Sequence, residues 1–192
     1  FIRVERGDER REGTAAVVSG GLTLAIPTPD AELVLWRAEQ AMQQLESAVM
    51  VETLSDGRAT VRTRYAFVAP DRMHFQVEGG PETIAIGDTR YDRRPGGTWT
   101  KSPWPGREPF RWPFYDWTTT ATGVTLLGED VGDGGALWVL AFADARSDVR
   151  YRLWINPADW RVHRLRMIAP AHFMTWTFEA FNVPLSIEAP LP

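Results

Sequence analysis

Hydrophobic positions recur at three- and four-residue intervals over one early stretch, and at two-residue intervals over most of the chain beyond it. Leu35, Ala38, Met42, Leu45 and Val49 form the helical stripe, and Leu33, Val34, Trp36 and Ala41 widen it. Thr28 is placed to cap this helix, with Pro29 at the first helical position. Asp30 and Glu32 fall in the first turn, where carboxylates suit the positive end of the dipole. A stripe this wide predicts a helix that buries more than one side.

After the helix the period is two. Val61, Thr63, Tyr65 and Phe67 alternate with Arg62, Arg64 and Ala66, while Met73, Phe75 and Val77 alternate with His74, Gln76 and Glu78. Asp56-Gly57, Gly79-Gly80, Gly87-Asp88, Gly96-Gly97, the glycines from Gly132 to Gly135, Ser147-Asp148 and Asn156-Pro157 punctuate the runs at hairpin spacing. Further strands are predicted at Leu137 to Phe142, Val149 to Ile155, Trp160 to Ile168 and Phe173 to Phe181. That cadence is an antiparallel meander.

Lys101 to Ala121 breaks it. Pro103, Pro105, Pro109 and Pro113 lie among Trp104, Phe110, Trp112, Phe114, Tyr115 and Trp117. Proline at that density is incompatible with a central strand, so the segment is predicted to be a long aromatic loop with one short helix. It fits three roles: plug of the interior, lid over a ligand, or element dipping into a bilayer interface. Arg3 to Gly21 reads as a linker with a first strand around Thr14 to Val18. The expected organisation is a linker over residues 1–27 and a single domain over 28–192. Its fold class is mainly β (α+β), a curved antiparallel sheet forming a partly open barrel around an N-terminal amphipathic helix and the aromatic loop.

At 192 residues the chain is long enough to bury a core without staples. Nine tryptophans are unusually many and suggest an aromatic-lined cavity, although bulky core filling accounts for them almost as well. The net charge of −4 and the lack of a dense Lys/Arg stripe argue against a nucleic-acid partner. The absence of cysteine excludes disulfides, thiolate metal sites and Cys nucleophiles. No apolar run reaches the roughly 18 residues of a membrane span. Phe1-Ile2 followed by charged residues is the pattern expected just beyond a removed membrane segment.

No nucleophile elbow, metalloprotease motif, phosphate-binding loop or dinucleotide fingerprint occurs, so neither catalytic residues nor a cofactor are assigned. His74 beside Met73, His163 with Met167, and His172 with Met174 would suit copper if they converged. Surface histidines and core methionines are the simpler reading.

The helix-bearing stretch "LVLWRAEQAMQQLESAVMVETL", the strand pair "YAFVAPDRMHFQVEGG", then "ETIAIGDTRYDRRPGGTWTKSPWP", "VRYRLWINPADWRVHRLRM" and the closing "FEAFNVPLSIEAP" together resemble the bacterial lipoprotein-carrier fold. That fold is shared by the periplasmic lipoprotein-localisation carrier, its outer-membrane receptor and mycobacterial lipid-carrying lipoproteins. The order of elements over roughly residues 30 to 190 carries the resemblance; no single motif does, and the N-terminal lipidated Cys of the lipoprotein members is missing. The resemblance implies a non-enzymatic, extracytoplasmic domain, tethered to a membrane in the full-length protein. It would hold a lipid, an acyl chain or another apolar small molecule between sheet and helix. Trp36, Leu45, Phe75, Trp104, Trp112, Trp138, Trp154 and Trp176 are the expected lining, by size and apolar phase. The alternative is a sensory or accessory domain of a larger membrane protein, working through protein contacts with its interior fully packed.

Overall fold

The computed structural model describes residues 29–132 and 135–190, together with four strand segments upstream. Those segments form two antiparallel hairpins, β1 (Ile2–Arg6) with β2 (Glu9–Gly13) and β3 (Ala15–Val18) with β4 (Gly21–Leu24). The stretch expected as a linker with one strand thus carries four; Thr14 lies outside the described residues.

Helix α1 runs over Ala31–Gln43. Its cap is Asp30, whose carboxylate accepts from the amides of Glu32 at 2.9 Å and Leu33 at 3.0 Å. The expected cap Thr28 lies outside the described residues, and Pro29 precedes the cap instead of opening the helix. Asp outcompetes the start two residues earlier because its short carboxylate reaches two orphan amides at once. The helix also ends earlier than its stripe suggests. Leu45 lies beyond Gln44, the C-cap, and Val49 belongs to strand β5 (Ser47–Ser55). Ala48, Met50, Glu52 and Leu54 alternate with Val49, Val51 and Thr53, and these β-branched residues pack better on a pleated surface than in a helix. Only one face of α1 is buried, through Val34, Leu35, Ala38, Glu39 and Met42; Leu33 and Trp36 remain exposed.

From β5 the chain continues through β6 (Thr60–Val68), β7 (Arg72–Val77), β8 (Glu82–Ile86), β9 (Thr89–Arg93) and β10 (Thr100–Pro103). After the aromatic segment, with its single 3-10 turn at Trp117–Thr119, come β11 (Ala121–Gly132), β12 (Gly135–Asp144), β13 (Arg150–Ile155), β14 (Val162–Ile168) and β15 (Phe173–Phe181). These eleven strands form one antiparallel sheet in the order β10-β9-β8-β7-β6-β5-β15-β14-β13-β12-β11. Two meanders meet where β15 pairs with β5, leaving β10 and β11 as free edges. The sheet is a curved, partly open barrel, as its sequence predicts.

Two strands lie where the sequence pattern does not show them. Lys101 to Pro103, expected in the loop, belong to β10; an edge strand tolerates proline at its end because no neighbour needs that amide. β11 reads ATGVTLLGEDVG and lacks clean alternation, because register shifts interrupt it between Thr122 and Thr125 and between Leu126 and Gly128. Gly123 and Gly128 take positive φ there.

The core occupies the concave side. Ala48, Met50, Phe67, Met73, Ala85, Trp138, Leu140, Phe142, Leu153, Ile155, Leu165 and Phe178 project onto α1 and the aromatic segment. A smaller cluster of Leu137, Val139 and Trp154 lies on the outer face.

Candidate functional site

The segment between Pro103 and Ala121 joins the two free edges and must therefore cross the concave side. Its backbone is strapped to the turns of the first meander. Trp104 N donates to Asp88 O at 2.7 Å, Phe110 N to Gly87 O at 2.9 Å and Trp112 N to Pro70 O at 2.9 Å. α1 holds the other end: the Gln43 amide donates to Tyr115 O, and Glu39 accepts from Thr118 N and Thr118 Oγ1, both at 2.7 Å.

Its rings fill the interior around Phe67, with centroids at 5.3 Å for Trp112 and 6.4 Å for both Phe110 and Phe114. Tyr115 packs on Trp117 at 4.9 Å. Of the three roles open to the sequence, the geometry matches the plug. The Trp112 indole N–H and the Tyr115 hydroxyl are buried there with no well-formed hydrogen bond. Burial pushes the Tyr115 phenol well above its ordinary value, and the adjacent Trp112 indole offsets only part of that.

Phe114 ends the plug, 49% exposed and edge-on to Trp176 at 6.4 Å. Beyond it, toward the strand ends at Ser55 and Phe173, the curve of the sheet leaves a strip of partly covered side chains, the trough. Leu54, Tyr65, Phe75, Val77, Tyr151, Met167, Met174 and Trp176 are all half-buried there, and the register places Met167 directly opposite Met174. One carboxylate sits among them. Glu52 accepts from Trp176 Nε1 at 2.7 Å and from the Tyr65 hydroxyl at 3.4 Å. Burial, then the Glu52 charge, pushes the Tyr65 phenol well above its ordinary value. The trough is thus an apolar strip beside the hydrogen-bonded Glu52 carboxylate, a surface suited to being covered by an extended apolar molecule.

The eight residues chosen from sequence fall into four places. Phe75 and Trp176 line the trough. Leu45, Trp112 and Trp138 are buried in the packed core, while Trp104 is partly buried against it, 5.5 Å from Phe110. Trp36 stands 50% exposed on the outer side of α1. Trp154 points from the opposite face of the sheet, since its neighbours Leu153 and Ile155 face the core. Glu52, Tyr65, Phe114 and Met167 are lining residues that the sequence does not single out. Two-residue alternation from Phe67 and Trp176 points to Tyr65 and, through pairing, to Glu52; Phe114, in an irregular segment, carries no such signal.

The histidines occupy separate settings: His74 Nε2 lies 2.7 Å from Glu82, His163 packs edge-on against Phe181, and His172 is in the β14–β15 turn. Among the described residues no group of three His, Cys, Asp or Glu side chains is arranged to hold a metal ion. No described helix is long and apolar enough to cross a membrane.

No protein-family model and no curated protein matches the chain. Solved structures do. LprF from Mycobacterium bovis aligns over 86% of this chain and 99% of its own, with TM-score 0.62 and 16% identity. The lipoprotein LppX from Mycobacterium tuberculosis aligns over 82% and 98%, with TM-score 0.62 and 12% identity. A LolA superfamily protein from Nitrosomonas europaea aligns over 85% and 96%, with TM-score 0.33 and 10% identity. The open-barrel architecture implied by the sequence resemblance is therefore present: this chain has the fold of LprF and LppX.

Proposed function

We propose that residues 28–192 form a non-catalytic, extracytoplasmic binding or carrier domain for a lipid, acyl chain or similar apolar molecule, held near a membrane in the full-length protein. The trough supports this reading. A row of half-buried aromatic and thioether side chains beside Glu52 is an unfavourable surface to leave in water, and an apolar chain laid along it removes that surface. Each methylene transferred from water contributes roughly 0.8 kcal/mol, so a dozen contribute about 10 kcal/mol before ordering costs. The likeness of fold to a lipoprotein, LppX, agrees with the location.

One observation favours a second reading, an accessory or sensory domain acting through protein contacts: the space beneath α1 is filled by the chain's own Phe110, Trp112, Tyr115 and Trp117. Native mass spectrometry with lipid extraction separates the two. Carrier function predicts a co-purifying acyl species that is lost when Met167 and Met174 are both changed to Trp, which fills the trough from its floor. An apo mass throughout, with no lipid uptake, selects the second reading.

A further inference from the structure

The outer face of β13 and β14 carries charge that the linear sequence disguises. Arg150 and Arg152 alternate with Tyr151 and Leu153, and Arg164 and Arg166 with Leu165 and Met167, so all four arginines leave the sheet on the side away from the core. The register sets Arg152 directly opposite Arg166, a like-charge pair that is unfavourable unless something negative lies over it. All four are exposed, and the guanidinium groups of Arg150, Arg152 and Arg166 make no hydrogen bond or ion pair with a described residue.

Trp154 fixes part of the array. The Arg164 guanidinium lies 4.4 Å from its ring centre and that of Arg152 5.9 Å, while the indole N–H donates to Asp130 at 2.9 Å. That hydrogen bond holds the Asp130 carboxyl below its ordinary range and commits the acid to Trp154.

A depression of about 610 Å³ lies across this face, walled by Arg150, Arg152, Arg166, Leu127, Ala141 and Ile168 among others, with no carboxylate among the described residues of its lining. Around the cations stand exposed apolar side chains: Leu127 at 51%, Ile168 at 46% and Phe173, opposite Ile168, at 40%. A chain with net charge −4 concentrates cations here against its overall balance.

Arginine forks match phosphate, and exposed apolar groups beside them match the boundary between headgroups and acyl chains. We propose that this outer face of β11–β15 docks on an anionic phospholipid surface, the guanidinium groups on lipid phosphates and Leu127, Ile168 and Phe173 at the acyl boundary. Ile168 and Phe173 adjoin Met167 and Met174, so docking brings one end of the trough to the bilayer.

The test is co-sedimentation of the whole chain with phosphatidylglycerol-containing vesicles and with pure phosphatidylcholine vesicles. Binding is expected only to the former, and it should weaken sharply at about 0.5 M salt, where charges are screened within a few ångströms. Changing Arg150, Arg152 and Arg166 together to Gln should weaken it on the order of 100-fold. The same three positions as Lys should retain most of it, and Arg58, Arg62 and Arg94 changed to Gln should leave it nearly unaltered. No binding to anionic vesicles, equal binding by the Gln variant, or retention on DNA without vesicle binding overturns the proposal. None of these outcomes depends on the trough holding a ligand.

Discussion

Glu39 is the one carboxylate of α1 turned into the core, 5% exposed, and its two oxygens take the amide and hydroxyl of Thr118 at 2.7 Å each. It ties the aromatic segment to the helix just where the chain turns toward β11. Changing Glu39 to Leu keeps most of its volume but leaves both Thr118 donors, the amide and the hydroxyl, without their acceptor. Each hydrogen bond to a charged group contributes roughly 1.5 to 3 kcal/mol, and an unsatisfied buried donor costs about 1 to 3 kcal/mol. Against this stands the relief from burying a charge, itself several kcal/mol. The net loss is about 2 to 3 kcal/mol, equivalent to a Tm lower by roughly 5 to 10 °C for a domain of this size. Urea unfolding measures the loss, and hydrogen exchange locates it: amides of residues 104–120 should exchange faster while those of β12 to β14 change little. A double-mutant cycle with Thr118→Ala should show a coupling of about 1 to 2 kcal/mol. Stability within about 0.5 kcal/mol of wild type, with exchange over 104–120 unchanged, would falsify the tie.

The same packing makes two further perturbations informative. Phe67 is fully buried and touches Tyr65, Phe110, Trp112 and Phe114, so Phe67→Ala should cost about 3 to 5 kcal/mol in urea unfolding; a loss below about 1 kcal/mol means that the plug is not seated on that ring. Tyr65 links stability to alkaline pH. Its folded-state phenol ionises above its ordinary value of 10.0, so the unfolded chain loses this proton first, and the contribution is whole below pH 10 and declines as pH rises beyond it. Tyr65→Phe should flatten that decline in urea midpoints measured across this range, and an identical slope refutes the burial argument.

The meander is legible in the sequence because one face of each strand is buried and period-two alternation records that directly, as in Thr63, Tyr65 and Phe67. The helix boundary is harder to place because Leu45 and Val49 continue a helical spacing by coincidence of the turn that joins α1 to β5. β11 is invisible for a different reason: an edge strand with two register shifts and positive-φ glycines has no single phase to read. The tryptophans mislead because size and apolarity do not specify a face; Trp154 is as large as Trp176, yet one residue of phase puts it on the other side of the sheet.

The same limit conceals the arginine face and the trough. Two arginines at every second position look unremarkable along the chain, since charge density is low when averaged over neighbours. Pairing β13 with β14 doubles it, and only the register sets Arg152 against Arg166. Likewise Met167 and Met174 are seven residues apart in sequence and become one apolar step when β14 pairs with β15. Both features therefore belong to the sheet and to no single strand. Because they lie on opposite faces of the sheet and share strand β14, a bilayer held by the arginines and an apolar molecule held by the methionines would meet at one rim, the β14–β15 turn with Ile168 and Phe173. That turn is where substitutions should impair transfer while leaving the fold intact. Exposed Ile168→Ser with Phe173→Ser is expected to slow lipid exchange between vesicles and protein more than it lowers stability, and a stability loss without any change in exchange would separate the two faces functionally.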